Sequence, residues 1–210
     1  MLKILTFLTL LVTSTVSRST DDIPDLFLFL ISNTPAECKD QTYELATKLM
    51  KTKNDLELKY GNIEMLYNKE LMNSLVQKFK TISDSINSPN CSTINFVKYF
   101  LDGTVFIGNE IYGEAFACLS EEDLETKFTD CNTGMVPKDS DVLEYLKPVS
   151  YCVTHKLECS PEDRKHFISA VYAGADLFET FNNGREVLKK MESNKLTLKF
   201  LPEKYEHILK

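Results

Sequence analysis

The chain has 210 residues, a formal net charge of −7 at neutral pH and an apolar content of 43%. This length and apolar content are sufficient for one or two buried cores, so disulfide bonds need not hold the fold alone. The acidic balance argues against a nucleic-acid partner, and the lack of a basic run argues against a helix that binds a membrane surface.

Residues 1–17 have the form of a secretory signal peptide. One lysine precedes an apolar run from Ile4 to Val12, and small side chains follow at Thr15 and Ser17. The run is too short to span a bilayer, and no later segment offers the roughly 18 uninterrupted apolar residues of a membrane span. We therefore expect a protein of the secretory pathway that does not insert into a membrane.

All six cysteines follow this segment, at positions 38, 91, 118, 131, 152 and 159. An even number of cysteines in an oxidising compartment indicates a disulfide framework. Six cysteines allow many different pairings, so the sequence alone does not determine which residues are bonded.

In the first half of the chain, strands and helices are predicted to alternate. The apolar run Leu26–Ile31 is predicted as a central strand. Residues 34–37 (TPAE) have the form of a capping box at the start of a helix that reaches about Lys51. Residues 55–65 alternate apolar and polar side chains, which predicts a second strand, and Asn68 is expected to cap the following helix.

The inward face of the first predicted helix is assigned to Tyr43, Ala46, Leu49 and Met50, which recur at helical spacing. This assignment predicts that all four side chains are buried.

The clearest local signal is Asp102-Gly103, the kind of residue pair that a two-residue hairpin turn favours. Apolar segments on either side of it, residues 95–101 and 104–112, are predicted as two antiparallel strands. Ser120 and the three acidic residues after it are predicted to begin the last helix of this region. Residues 22–132 are therefore expected to form an α/β domain of order β-α-β-α-β-β-α.

After about residue 140 the pattern indicates helices only. One helix is predicted over residues 141–157 with a break or kink at Pro148. A second begins at Ser160-Pro161 and ends at Asn183-Gly184. The loop 131–140 contains Gly, Pro and Ser, which indicates a domain boundary before a small all-helical domain at residues 140–210.

The order predicted for residues 22–130 resembles a thioredoxin-like domain. The stretch TPAECK occupies the place where redox-active members carry WCGPCK or WCGHCK. The stretch FVKYFLDGTV is similar to the family's third strand and turn, and IYGEAF resembles the Tyr-x-Gly at the end of its fourth strand. The resemblance implies an α/β fold with Cys38 near the start of its first helix.

Departures from the family pattern imply that its redox chemistry is lost. Pro35 stands where the attacking cysteine would be, and Asn95 stands where the family has a cis-proline. Dithiol exchange needs a low-pKa attacking thiolate and a second cysteine. The chain therefore resembles the redox-inactive escort proteins of the protein disulfide isomerase family, which implies a non-catalytic chaperone that binds a polypeptide client. It ends in HILK rather than a KDEL-type signal, so both the ER lumen and secretion are open.

Cys38 is the weak catalytic candidate. A helix N-terminus and Lys39 would lower the pKa of its thiol, whereas Glu37 and Asp40 oppose this effect. A structural disulfide is the favoured interpretation. In the thioredoxin-like topology the loop before the third strand lies beside the first helix, which implies a bond from Cys38 to Cys91.

The remaining cysteines suggest two further pairs. Cys118 and Cys131 bracket the helix predicted from Ser120, which leaves Cys152 with Cys159. An alternative for the last segment is a zinc site that includes His155. It lacks an evident fourth ligand, and a disulfide suits the compartment better, so we expect neither a metal nor a cofactor.

Asn90-Cys91-Ser92 is an N-glycosylation sequon, which predicts a glycan on Asn90. Two alternatives to the escort function remain open. One is a secreted, disulfide-stabilised interaction protein of unknown ligand. The other is a monothiol oxidoreductase that acts through Cys38. The oligomeric state is not predicted.

Overall fold

The computed structural model describes residues 34–60, 67–87, 90–132, 142–206 and 208, and over these ranges its secondary structure is helical. The α-helices are α1 (Lys39–Tyr60), α2 (Lys69–Asp84), α3 (Ser92–Tyr112), α4 (Phe116–Glu121), α5 (Leu124–Cys131), α6 (Val142–Lys156), α7 (Pro161–Asn182) and α8 (Gly184–Glu192). Short 3₁₀ turns lie at Ala36–Cys38 and Pro202–Lys204. No described helix is both long and apolar enough to cross a membrane.

The predicted α/β thioredoxin-like fold is wrong. No β-strand occurs within the described ranges, and the predicted thioredoxin-like region contains α1 to α5. Residues 55–60, predicted as part of the second strand, belong to α1, and the predicted hairpin turn at Asp102-Gly103 lies in the middle of α3. The predicted signal peptide and the predicted strand Leu26–Ile31 lie outside the described residues.

Helix α3 forms where two strands were predicted because its buried residues follow a helical period. Phe96, Tyr99, Gly103, Ile107 and Ile111 recur every three or four positions and are all buried. The helix is covered on several sides, so other faces are also apolar, and each half taken alone looks like a buried strand.

Three helices meet along α3, which lies at the centre of the bundle. It packs against α2, α7 and α8, while α6 packs against α7 and α5 packs against α6. A Cβ added at Gly108 would overlap the side chain of Val76 in α2, so glycine permits this close approach. Gly108 therefore lets α3 and α2 lie close together.

The largest buried core joins residues from both sides of the predicted domain boundary. It includes Leu75 and Ile107 before the boundary, and Val153, Phe167 and Tyr205 after it. Residues 133–140, which make up most of the predicted boundary loop, lie outside the described residues.

Several helix ends agree with the sequence predictions. The side chain of Asn68 accepts a hydrogen bond from the backbone N–H of Leu71 at 3.0 Å and caps α2. The hydroxyl of Ser160 accepts from the N–H of Asp163 at 3.1 Å and caps α7. Pro148 was predicted to mark a break or a kink, and α6 continues through it, so the helix is not broken there.

Two further predictions are wrong in part: the helix that was expected to begin at Ser120, and the inward face of α1. The helix predicted from Ser120 is divided, because α4 ends at Glu121 and Asp123 caps the separate helix α5. Tyr43 and Met50 of α1 were expected to face inward, but they are 71% and 54% exposed. Ala46 is buried as predicted and Leu49 is partly buried, and Leu45 completes the buried face of α1.

Candidate functional site

The region around Cys38, which the sequence indicated as a possible thiol site, contains a buried disulfide. Cys38 is bonded to Cys91, 53 positions along the chain, and the two residues are 0% and 7% exposed. The bond ties the start of α1 to the start of α3, and closing a loop of this length stabilises the fold by about 4 kcal/mol in a chain-entropy model. The pair is the expected one, although the fold that implied it is wrong.

The other two disulfides differ from the predicted pairs. Cys118 is bonded to Cys159, and Cys131 is bonded to Cys152. The reason is the packing of α5 against α6, which places Cys131 beside Cys152. Because Cys152 and Cys159 take part in different bonds, the alternative zinc set with His155 is not assembled.

A buried carboxylate lies beside the Cys118–Cys159 bond. The Glu122 side chain is 7% exposed and pairs with Nζ of Lys127 at 2.8 Å, an interaction that raises the pKa of this lysine. Its Oε1 accepts a hydrogen bond from the N–H of Glu158 and lies 3.6 Å from Sγ of Cys159. The two sulfurs and the carboxylate lie within 4.8 Å of one another. With the sulfurs bonded together, this group is a disulfide with an adjacent negative charge.

A cleft of about 230 Å³ lies where α2 and α3 meet the C-terminal segment, which we define as residues 196–206. Four of the residues that line it are polar and three are apolar. The lining residues are Lys80, Ser83, Asp84, Asp102, Val105, Phe200 and Pro202. We call the four polar residues the polar floor and the three apolar residues the apolar wall, and we refer to the site as the α2–α3 cleft.

Ser83 and Asp102 connect α2 to α3 at the polar floor. The hydroxyl of Ser83 donates to Oδ1 of Asp102. The Lys98 ammonium donates to the same hydroxyl at 2.9 Å and to Oδ1 of Asp102 at 3.2 Å. An ammonium group donates hydrogen bonds and does not accept them, so Lys98 does not act as a base that removes the proton of the Ser83 hydroxyl. Ser83 is also only 1% exposed, which keeps its hydroxyl away from a substrate. The arrangement joins the helices and does not activate the serine.

Aromatic contacts hold the apolar wall of the cleft. The ring centroid of Phe200 lies 5.4 Å from that of Phe106 in α3 and 5.6 Å from that of Tyr205. Tyr99 also contacts Phe200, at 5.9 Å between ring centroids. Such pairs add to the stabilisation from burial alone. They fix the C-terminal segment against α3.

Asp176 of α7 anchors the same segment through polar contacts. Its carboxylate accepts hydrogen bonds from Lys204 at 2.6 Å, from the Tyr205 hydroxyl at 3.0 Å and from Lys147 at 3.2 Å. Burial by itself would raise the pKa of Asp176, but the hydrogen bonds and charges of the two lysines outweigh it and lower this pKa. Burial also raises the pKa of the Tyr205 hydroxyl, and the nearby Asp176 charge adds to this rise.

None of the cleft residues was predicted from the sequence as a site. The spacing of Lys98 and Asp102, four positions apart, is the local signal that would have indicated a helix there. The strand prediction over the same residues concealed it. Phe200 and Pro202 are distant in sequence from α2 and α3, so only the folded structure brings them together.

Comparison of the chain with protein-family models, with curated proteins and with solved structures finds no match. The function is therefore inferred from the geometry and chemistry of the site.

Proposed function

We propose that this protein is a secreted, disulfide-braced helical protein that binds a small ligand in the α2–α3 cleft. The observation that carries the proposal is the cleft itself, which is lined by three apolar residues and a few polar groups. This combination is typical of ligand sites in proteins, where apolar contact supplies affinity and a few polar groups fix orientation. The hydrogen bonds among Ser83, Lys98 and Asp102 hold the floor in place before a ligand arrives, which reduces the entropic cost of binding.

The disulfides support the secretory part of the proposal. Every cysteine of the chain is paired in the described structure, and such bonds persist in oxidising compartments. Asn90, the predicted glycosylation site, is exposed in a turn next to Cys91, where a glycan has access to solvent. The signal-peptide pattern of residues 1–17 points to the same compartment.

The escort function toward polypeptide clients was implied by the thioredoxin-like resemblance, so it loses that basis in an all-helical structure. The alternative of a secreted interaction protein with structural cysteines does not depend on that fold, and the proposal develops it. A monothiol activity at Cys38 gains no support, because this cysteine is bonded and fully buried.

The proposal is tested with the secreted, disulfide-bonded protein and a library of small fragments, observed through the methyl signals of its valines. We expect a subset of fragments to shift the Val105 methyl signals. The variant Val105→Phe fills the cleft and lacks the Val105 methyl groups, so binding of the same fragments to it is measured by isothermal titration calorimetry and should be abolished. Val187→Phe is the matched control, because Val187 is a half-buried valine of α8 that does not line the cleft. Fragment binding that Val105→Phe leaves unchanged would contradict the proposal.

A further inference from the structure

We infer that residues 185–199, which comprise most of α8 and the chain that follows it, form a surface that binds a soluble sulfated polysaccharide. This surface uses none of the residues that line the α2–α3 cleft. The choice of a sulfated partner rests on the secretory part of the proposed function.

Positive charge is concentrated in this short part of an acidic chain. Residues 185–199 contain five basic and two acidic side chains, a net charge of +3, whereas the whole chain carries −7. A local concentration of one sign of charge attracts ligands of the opposite sign. All five basic side chains are exposed, and together we call them the basic surface: Arg185, Lys189, Lys190, Lys195 and Lys199.

Three lysines of the basic surface form no ion pair with any residue that the structure describes. Lys190 pairs with Glu186 within α8 at 2.6 Å, but Lys189, Lys195 and Lys199 have no such partner in the described ranges. Acidic residues outnumber basic ones in this chain by 31 to 24, so carboxylates are not scarce. The three ammonium groups are therefore available to an external anion.

The turn at the end of α8 holds two parts of the basic surface together. Asn194 has a φ of 53°, the left-handed conformation that commonly ends a helix. The N–H of Lys195 donates to the carbonyl of Lys190 at 2.8 Å, and the N–H of Asn194 donates to the carbonyl of Met191 at 3.0 Å. These two bonds form a Schellman motif, which fixes Lys195 beside the last turn of the helix.

The chain that follows this turn lies beside α8. Leu196 and Leu198 pack against the same small core as the buried face of α8 and are partly buried, whereas Lys195 and Lys199 are exposed. Alternate residues of an extended chain point to opposite sides, so these two lysines face solvent on one side. They lie next to the exposed face of α8, which carries Lys189. A single anionic chain can therefore contact all three lysines.

The composition of this surface favours a soluble polyanion over a membrane. No large apolar side chain between residues 185 and 199 is exposed, so the surface has nothing to insert among lipid chains. Sulfated polysaccharides are the abundant polyanions outside cells, and their sulfate groups stay ionised throughout the secretory pathway. Each ion pair at an exposed lysine is weak, so affinity requires a ligand that contacts several lysines at once.

Three ligands titrated into the disulfide-bonded protein by calorimetry test the inference. They are a heparin octasaccharide, a hyaluronan octasaccharide, which has carboxylates but no sulfates, and vesicles of phosphatidylcholine and phosphatidylserine. We expect heparin to bind at least about tenfold more tightly than hyaluronan, because it carries more negative charges per sugar. Its affinity should fall as salt is added, and the vesicles should not bind.

The triple variant Lys189→Gln, Lys195→Gln, Lys199→Gln should weaken heparin binding about tenfold, the size expected when three individually weak ion pairs are lost together. The slope of the logarithm of affinity against the logarithm of salt concentration should fall by about two, since each lost pair removes roughly 0.7 for a flexible polyanion.

Two further triple variants are the controls. Replacing the same three lysines with arginine keeps the charges and should preserve binding. The matched control for net charge replaces three exposed lysines of α1 and α2, outside the basic surface, and should also preserve binding: Lys39→Gln, Lys51→Gln and Lys78→Gln.

Equal losses in the two glutamine variants would overturn the inference, because they would show a general effect of net charge. Equal binding of the heparin and hyaluronan octasaccharides, binding of the vesicles in place of heparin, or no binding of heparin at all would each overturn it too. None of these results bears on the α2–α3 cleft, which the fragment titration tests separately.

Discussion

Gly103 of α3 lies so close to Leu177 of α7 that a Cβ added at residue 103 would stand 2.7 Å from both Cδ atoms of the leucine. Leu177 is 3% exposed and has little room to move. At an exposed helical position, glycine to alanine stabilises a protein by about 1 kcal/mol. At residue 103 we expect Gly103→Ala to lower the free energy of unfolding by about 1–3 kcal/mol, because the added methyl group overpacks the contact.

Urea denaturation followed by the helical circular dichroism signal measures this change. Gly184→Ala is the control, since the nearest side-chain atom to its added Cβ, in Phe96, would be 3.3 Å away. We expect a smaller loss of stability there. A Gly103→Ala protein as stable as the parent would contradict the α3–α7 packing described above.

This contact also explains where prediction from the sequence failed. Helix ends such as those at Asn68 and Ser160 could be predicted, because a cap is a local signal within a few residues. Asp102-Gly103 also carried a local signal, for a turn, but tertiary contacts decide its conformation. Asp102 bonds to Ser83 of α2, and Gly103 is needed for the approach of Leu177. Neither partner is near in sequence.

The candidate site and the disulfides show the same limit. Pairs inferred from nearness along the chain, such as Cys118 with Cys131, were wrong because side-by-side helices bring distant cysteines together. Cys38–Cys91 was inferred from an incorrect fold, yet the starts of α1 and α3 do lie side by side. The cleft needs Phe200 beside Asp102, which only the anchoring of the C-terminal segment produces.

Glu122 is expected to protect the Cys118–Cys159 disulfide from reduction. Cys118 is the more exposed of the two cysteine residues, so attack by an external thiolate there would release Cys159 as a thiolate beside the Glu122 carboxylate. A neighbouring negative charge disfavours that thiolate and makes it a poorer leaving group. We expect Glu122→Gln to raise the rate of reduction roughly threefold to tenfold.

Timed reduction with dithiothreitol, followed by alkylation and mass spectrometry, gives the rate for each disulfide. Glu121→Gln, at an exposed neighbouring position, is the control for a change in net charge alone. Equal rates for the parent and Glu122→Gln would rule out the protective effect.

The attachment of the C-terminal segment should depend on pH through Asp176. Its pKa is lowered in the folded protein, so its ionised form stabilises the fold above the ordinary carboxyl range, near pH 4. That contribution is lost as the pH falls through the lowered value. Asp176→Asn should cost about 1–3 kcal/mol at neutral pH, because hydrogen bonds to a buried charge are removed. This variant should also make the stability of the protein depend less on pH in the acidic range.

Amide hydrogen exchange in residues 196–206 measures the attachment, expressed as protection factors so that the slower chemical exchange of amides in acid is divided out. We expect lower protection in Asp176→Asn than in the parent at neutral pH, and a smaller further loss of protection in acid. The exposed variant Asp130→Asn should behave like the parent. If acid leaves the protection factors of the parent segment unchanged, Asp176 is not the anchor.

Asn90 should carry an N-linked glycan when the chain is expressed with residues 1–17 in a eukaryotic secretory pathway. The side chain is exposed in a turn, and Ser92 completes the sequon at the first residue of α3. We expect a mass decrease on treatment with a peptide N-glycosidase, and none in Asn90→Gln. Secreted protein that is unmodified at Asn90 would contradict this prediction.

The three disulfide pairs are the most direct test of the helical bundle on which the cleft depends. After trypsin cleavage of the unreduced protein, the last four cysteines fall in separate peptides: 99–127, 128–138, 139–156 and 157–164. Mass spectrometry of the linked peptides should join 99–127 to 157–164 and 128–138 to 139–156, with Cys38 linked to Cys91. Links from 99–127 to 128–138 and from 139–156 to 157–164 would contradict the packing of α5 against α6 and the fold described here.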